Sequence, residues 1–358
     1  MSATSLLVIK ADTLGDLVVF TPTVRALRAA LPEARIGVVV REAYLDLGAL
    51  IEPGVEWIGT SLDPFTEGPA VRAEELARLR AAVGGFNPDL AIAATSRRNW
   101  LETVLAADAR RARRIAFASE DDAFFATQLR VALGVEAAGL FEEIPPAPAD
   151  EPDWKRNLRL ASAALGRAAE ATPPALTPGE RGQTEVLAKA GLGKGRYAVC
   201  APAGFANVRL KTWPAERFAE LALRLTAPDG ALPGAGIAIL GGPGDQERSM
   251  ATPLLTALPQ ALDLVGKLDL PEVAAVMARA AIFIGNDSGL MHLAAAAGAP
   301  TLGLFGPTPS DEYGPAGPKA RAVLADGAPG HGAMEDLPLS RVLDAAARLL
   351  GEAARAPA

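Results

Sequence analysis

The residues best suited to chemistry cluster in Gly285-Asn286-Asp287-Ser288-Gly289-Leu290-Met291-His292, which holds a carboxylate, a hydroxyl and an imidazole. The apolar residues 281–284 before it suit a buried parallel strand, and the Leu/Met/Ala run behind Ser288 favours a helix with Ser288 at its N-cap. A helix that begins here presents unpaired backbone N–H groups and the positive end of its dipole, a setting that stabilises phosphate. Asp287 would repel a phosphate, so its partners are expected to be neutral hydroxyl groups of a ligand beside the phosphates. The alternative is an ordinary strand-to-helix turn with a capping serine and a half-buried histidine.

The elements that must position this turn follow a repeating pattern. Residues 5–10 read as a buried strand, 11–16 as a loop, 17–31 as a helix disturbed by Pro22, and 35–40 as the next strand, the rhythm of a βαβ unit in a parallel sheet. The alternation continues through strands near 55–58, 89–94 and 114–117, and residues 142–153 read as a loop. Residues 171–179 contain three prolines and form the best linker. A second series follows, with strands at 197–201, 236–240, 262–264, 281–284 and 301–305, and a final amphipathic helix over 339–354. The expected architecture is α/β, with two Rossmann-like domains and a cleft between them: residues 1–170, residues 180–335, and a C-terminal helix over 336–358 packing back towards the first. Ligands in such sheets bind beyond the carboxyl ends of the strands, where the loops 11–16, 202–212, 241–245 and 285–289 fall.

The composition narrows the field. The chain has 358 residues, half of them hydrophobic and 22% charged, enough for two cores. A net charge of −7 argues against nucleic acid as a partner. One cysteine and two distant histidines leave no disulfide framework and no Cys- or His-based metal site. No run approaches the ~20 apolar residues of a membrane span, and no signal peptide precedes residue 5, so a cytoplasmic protein is expected. No Gly-x-Gly-x-x-Gly follows the first strand, no Walker A sequence occurs, and no two aspartates stand at i, i+2. Asn286-Asp287-Ser288-Gly289 superficially looks like a serine-protease nucleophile, but a strand-to-helix turn is the wrong context.

Lys10-Ala-Asp-Thr-Leu-Gly-Asp16 with Thr21-Pro22, Lys211-Thr-Trp-Pro214, Gly285 to His292, and Phe305-Gly-Pro-Thr308 together resemble glycosyltransferase family 9, which includes the bacterial ADP-heptose:lipopolysaccharide heptosyltransferases. The matches lie in order over nearly the whole chain. The resemblance implies a GT-B fold, an acceptor site in the first domain, a nucleotide-sugar donor in the second, and inverting transfer without a metal or other cofactor. It implies that Asp16 is the catalytic base, with Gly15 allowing close approach of the acceptor. The competing reading has Asp16 capping the next helix, and Asp12 is the rival carboxylate. Lys211, with Arg209, is expected to face the donor diphosphate. Gly204, Asp245 at a ribose, Leu268 at the base, and Asp287, Ser288, Gly289 and His292 complete the implied donor set. Arg97 and Arg98 follow a strand and could meet an anionic acceptor, a surface role being equally open.

The implied function is transfer of heptose from ADP-heptose to a lipopolysaccharide core acceptor, in the cytoplasm or peripherally on the inner face of the inner membrane. The alternatives are a family member with another nucleotide sugar or glycan acceptor, and a non-catalytic nucleotide-sugar-binding protein.

Overall fold

The computed structural model describes residues 4–68, 72–118, 123–148, 150–178, 180–192, 196–203, 209–327 and 330–355. The aliphatic and β-branched runs become strands. In chain order the first six are β1 (Ser5–Ile9), β2 (Arg35–Arg41), β3 (Glu56–Thr60), β4 (Leu90–Ala93), β5 (Arg113–Phe117) and β6 (Glu142–Ile144). They form one parallel sheet in the order β3-β2-β1-β4-β5-β6. The next six are β7 (Tyr197–Ala201), β8 (Gly236–Ile239), β9 (Leu262–Asp263), β10 (Ile282–Asn286), β11 (Thr301–Phe305) and β12 (Ala320–Leu324). Their parallel sheet runs β12-β11-β10-β7-β8-β9.

The two sheets share one topology. Each chain half runs outward from its first strand through the second and third, then returns to lay the fourth on the other side of the first. The strand order therefore reverses between β1 and β4, where Ile9 lies opposite Ala93, and between β7 and β10, where Gly285 lies opposite Ala201. Crevices at the carboxyl ends of such reversals are where doubly wound sheets bind ligands.

The chain divides into two units, Met1–Thr172 and Pro173–Ala358, the boundary falling in the proline-rich stretch. Leu7, Ile9, Leu79, Val83, Leu101 and Val104 belong to the core of the first. Trp213, Phe218, Ile239, Ile284, Leu302 and Leu304 belong to that of the second. The terminal helix Leu339–Arg355 spends its apolar face there, with Val342, Ala346 and Leu349 buried in the second unit's core. Among the described residues, no helix is long and apolar enough to cross a membrane.

The helix read at 17–31 is two helices, Leu14–Val19 and Thr21–Ala30, meeting at Phe20. Pro22 lies in the first turn of the second, where its missing N–H costs nothing. Strand β6 and the helix Ala123–Leu133 lie outside the elements read from sequence, as does β12 beyond the supposed last strand. Both missed strands are sheet edges. At β6, Glu142 pairs with Arg113 and Glu143 with Arg98. At the opposite edge Arg78 donates to the Gly59 carbonyl of β3. In the second sheet Arg341 donates to the Leu324 carbonyl of β12, and Asp263 of β9 accepts from Arg248 and Lys267.

Candidate active site

In the first unit the carboxyl end of β1 runs into Lys10, whose side chain is only 3% exposed. Its Nζ lies 3.0 Å from Asp12 Oδ2 and 3.4 Å from the Ala94 carbonyl at the end of β4, so one ammonium ties both strands of the reversal. Phe20 supplies a ring 5.5 Å from the same nitrogen. Thr13 stands between two carboxyl groups: its N–H donates to Asp12 Oδ1 at 2.9 Å, and its hydroxyl donates to Asp16 Oδ2. Thr13, not Asp16, is the N-cap residue of the helix Leu14–Val19, and Gly15 is buried in its first turn.

This geometry separates the two aspartates. For Asp12, burial opposes ionisation but is outweighed by the Lys10 charge and by donors on both oxygens, leaving the group below its usual range. For Asp16, burial and then the neighbouring Asp12 charge outweigh the pull of Lys10, and the carboxyl is pushed up to about 7. Asp16 keeps accessible surface, whereas Asp12 is 8% exposed. The rival carboxylate is thus sealed against a lysine, and Asp16 is the one that can meet a substrate and exchange a proton near neutral pH.

At the neighbouring loop, Glu102 is fully buried and accepts from the N–H groups of Ala94, Thr95 and Asn99 while Asn99 caps the helix Trp100–Asp108. Burial pushes its carboxyl up to about 6, against the pull of those donors and of Lys10. This framework fixes the segment 94–99 that carries the two candidate arginines. Arg97 is exposed. Arg98 instead has its guanidinium 4.6 Å from the Phe141 ring centroid and 3.0 Å from Glu143, and its side chain is 5% exposed. Its charge is committed within the fold, so of the pair only Arg97 presents a side chain to solvent.

In the second unit the corresponding crevice is framed by Asn286, fully buried, whose Nδ2 donates to the Pro202 carbonyl at 2.7 Å and whose Oδ1 accepts from Trp213 N–H at 3.0 Å. Trp213 is itself fully buried, bonded through Nε1 to the Leu337 carbonyl and set edge-on to Phe218. That anchor presents the short 3-10 turn Arg209–Lys211 at the end of β7. Lys211 Nζ reaches Asp287 Oδ2 at 2.8 Å, and Thr308 Oγ1 donates to the same oxygen at 2.8 Å. The Asp287 side chain is 9% exposed and that of Lys211 24%. Asp287, expected against ligand hydroxyls, holds the lysine.

The helix Gly289–Ala296 begins as the sequence predicts, with Ser288 at the N-cap in extended conformation. Its hydroxyl, however, makes no cap hydrogen bond: among the described residues Ser288 Oγ is buried with no partner, and so is Thr212 Oγ1 beside Lys211. A helix start with a hydroxyl that has no partner among the described residues, following the carboxylate that holds the Lys211 ammonium, is suited to an anion. His292 lies one turn in; burial, against the pull of Asp287, holds it down to about 4, so it stands neutral at pH 7.

The remaining donor candidates lie at the ends of β8 and β9. Asp245 is exposed in the first turn of the helix Asp245–Ala257. Leu268 is half-buried, just after Gly266, whose N–H bonds the Gly241 carbonyl at 3.1 Å and brings the two loops together. Gly266 has φ +68, and a Cβ there would meet Pro243 at 3.1 Å. Gly204 lies outside the described residues, as does the side chain of Arg209. Lys10, Thr13, Thr212, Asn286 and Thr308 lie within the motifs that drew attention to the chain, and Glu102 lies outside them, but sequence reasoning gave none of these contributors a role.

Two doubly wound parallel sheets, each with ionisable groups at its order reversal, define the GT-B fold of glycosyltransferases. Solved structures share it: the E. coli ADP-heptose lipopolysaccharide heptosyltransferase II superposes with a TM-score of 0.76 at 21% identity, covering 98% of this chain and 99% of that one. An E. coli heptosyltransferase, WaaC, solved with ADP gives 0.71 at 22% identity over 96% and 99%. The family described as glycosyltransferase family 9 (heptosyltransferase) matches residues 130–334, and the chain belongs to it. Lipooligosaccharide heptosyltransferase 2 of Haemophilus influenzae is 36% identical over 110 residues, 29% of this chain and 30% of that protein. Lipopolysaccharide heptosyltransferase 2 of Salmonella typhimurium is 31% identical over 158 residues, 40% and 43%. The alignments with these curated relatives thus span less than half of their length.

Proposed function

We propose that this protein is an inverting glycosyltransferase that moves heptose from ADP-heptose to a lipopolysaccharide core acceptor, working on the inner face of the inner membrane without entering it. The observation that carries the reading is the Asp16 carboxyl, which remains accessible and titrates near neutrality at the first order reversal. Asp16 takes the proton of the acceptor hydroxyl as its oxygen attacks the anomeric carbon. The bond from that carbon to the diphosphate oxygen breaks on the opposite face, so configuration inverts and the electron pair leaves with the nucleoside diphosphate.

Negative charge then builds on the leaving group. Lys211, steered by Asp287, and the start of the helix Gly289–Ala296 with the Ser288 and Thr212 hydroxyls are suited to receive it. With an ammonium in that place the mechanism needs no divalent cation, and Asp245 and Leu268 are assigned to the ribose and the base. Arg97 is assigned to anionic groups of the acceptor. Names of the relatives support the choice of sugar and acceptor.

The test is transfer itself. Purified protein with ADP-heptose and a heptose-deficient core acceptor should yield ADP and a product whose new linkage has the opposite anomeric configuration by NMR. Activity should survive a chelator. A retained configuration, or activity restored only by a divalent cation, overturns the mechanism. If ADP-heptose gives no thermal stabilisation while another nucleotide sugar does, the donor assignment falls.

A further inference from the structure

Resting on the reading of Asp16 as the base, we propose that the sealed Lys10–Asp12 pair is a positioning device for Asp16: Lys10 keeps Asp12 ionised, and Asp12, facing Asp16 across Thr13, strengthens Asp16 as a proton acceptor. Neither residue of the pair is placed to meet substrate. Lys10 is 3% and Asp12 8% exposed, and both oxygens of Asp12 are already occupied, Oδ1 by Thr13 N–H at 2.9 Å and Oδ2 by Lys10 Nζ at 3.0 Å. A buried ion pair is a poor source of stability, since desolvating two charges offsets most of their attraction. Its presence beside an accessible carboxyl therefore calls for another account.

The arrangement supplies one. An isolated carboxylate four residues from Asp16 would protonate rather than hold its charge in this low-dielectric loop. With Lys10 on one oxygen and a backbone N–H on the other, Asp12 stays charged and can act on Asp16. Thr13 couples the two, its N–H on Asp12 and its hydroxyl on Asp16.

The other ionisable groups packed around the loop do not do this work. Tyr44, from the turn Glu42–Leu47, is held protonated by burial. Its neighbour Arg41 is paired with Asp63. Asp153, which heads the helix Asp153–Leu165, lies 3.3 Å from Arg156. Glu102 acts on Lys10 and is spent on backbone N–H groups of its own loop.

Two single variants move Asp16 downward by different amounts. Asp12→Asn keeps the shape but removes the like charge, so the Asp16 carboxyl should titrate about 1 unit or more lower. Lys10→Met lets Asp12 take up a proton and so removes both nearby charges, and the Asp16 midpoint should again fall, by less than in Asp12→Asn. Should the unpaired aspartate left by Lys10→Met prevent folding, Lys10→Met/Asp12→Asn removes both charges, and its midpoint should fall between those of Asp12→Asn and the unmodified protein. The experiment is a 13C NMR titration of the full chain labelled at aspartate carboxyls, the Asp16 signal being the one lost in Asp16→Asn. In parallel the acid limb of kcat/KM should follow the carboxyl midpoint in each variant.

A fall in both single variants, larger in Asp12→Asn, supports the inference. An Asp16 midpoint unmoved by Asp12→Asn, or a midpoint in Lys10→Met or in the double variant at or above that of the unmodified protein, overturns it. The failure of the underlying reading looks different. If Asp16→Asn transfers sugar at an undiminished rate, Asp16 is not the base, while the carboxyl titration still decides whether Asp12 tunes it.

Discussion

The order reversals of the two sheets use the same pair of charges with opposite exposure. At the end of β1 the cation is sealed: Lys10 lies against Asp12 and the Ala94 carbonyl, and a carboxyl, Asp16, is left accessible. At the end of β10 the carboxylate is sealed: Asp287 accepts from Lys211 and Thr308, and the ammonium keeps the larger exposure, 24% against 9%. Each crevice is also stitched by one side chain across its two strands, Lys10 in the first and Asn286 in the second. One scaffold thus presents a carboxyl in one unit and an ammonium in the other, by choosing which charge of the pair to bury. A displacement that creates charge on its leaving group and releases a proton from its nucleophile requires one of each.

The largest effect that tests this contrast belongs to Asp16→Asn. Loss of the general base should lower kcat by about 10²- to 10⁴-fold while ADP still binds, as read by thermal shift; an equal loss of nucleotide binding would erase the distinction between the units. Lys211→Met should be next, with kcat down about 10²-fold and weaker ADP stabilisation. If only acceptor KM changed, the second crevice would not be the donor's.

Asp16 also leaves a mark on stability. Its folded value of about 7 exceeds its ordinary one, so the folded state binds a proton that the unfolded state has lost between roughly pH 4 and 7, and stability falls as pH rises through that window. Asp16→Asn should therefore raise Tm at pH 8, and the difference should vanish towards pH 3, where the carboxyl is mostly protonated in both states. The smallest effect is expected of Ser288→Ala. An N-cap serine that made its bond would cost about 1 kcal/mol on truncation. Ser288 Oγ makes none, so Tm should hardly move while ADP affinity drops.

Much of this was legible from local patterns. The aliphatic runs at β1, β7 and β10, the proline-rich boundary and the helix start at Ser288 all follow from residue types over a few positions. What could not be read depends on partners far along the chain. Arg98 looks free beside a strand end until Phe141 and Glu143 arrive, the latter 45 residues later. The pairing of Asp287 with Lys211, 76 residues earlier, likewise shows in no local pattern. The choice between Asp12 and Asp16 turned on which was sealed by Lys10, a matter of burial rather than of spacing. The strand β6 was hidden by its two glutamates, which suit an edge and mimic a loop.

Those edges carry a consequence for the life of the protein at high concentration. A parallel sheet ends in rows of unpaired backbone groups that invite another chain to add as a further strand, and such sheets pair slowly during folding, prolonging the exposure. Here β6 and β9 are only three and two residues long and carry Glu142, Glu143 and Asp263, each already ion-paired. The longer edges β3 and β12 have carbonyls taken by Arg78 and Arg341. All four borders thus resist templated growth, so association through sheet extension is disfavoured for both units, and replacing Arg78 or Arg341 with alanine would reopen a sticky border without touching either crevice.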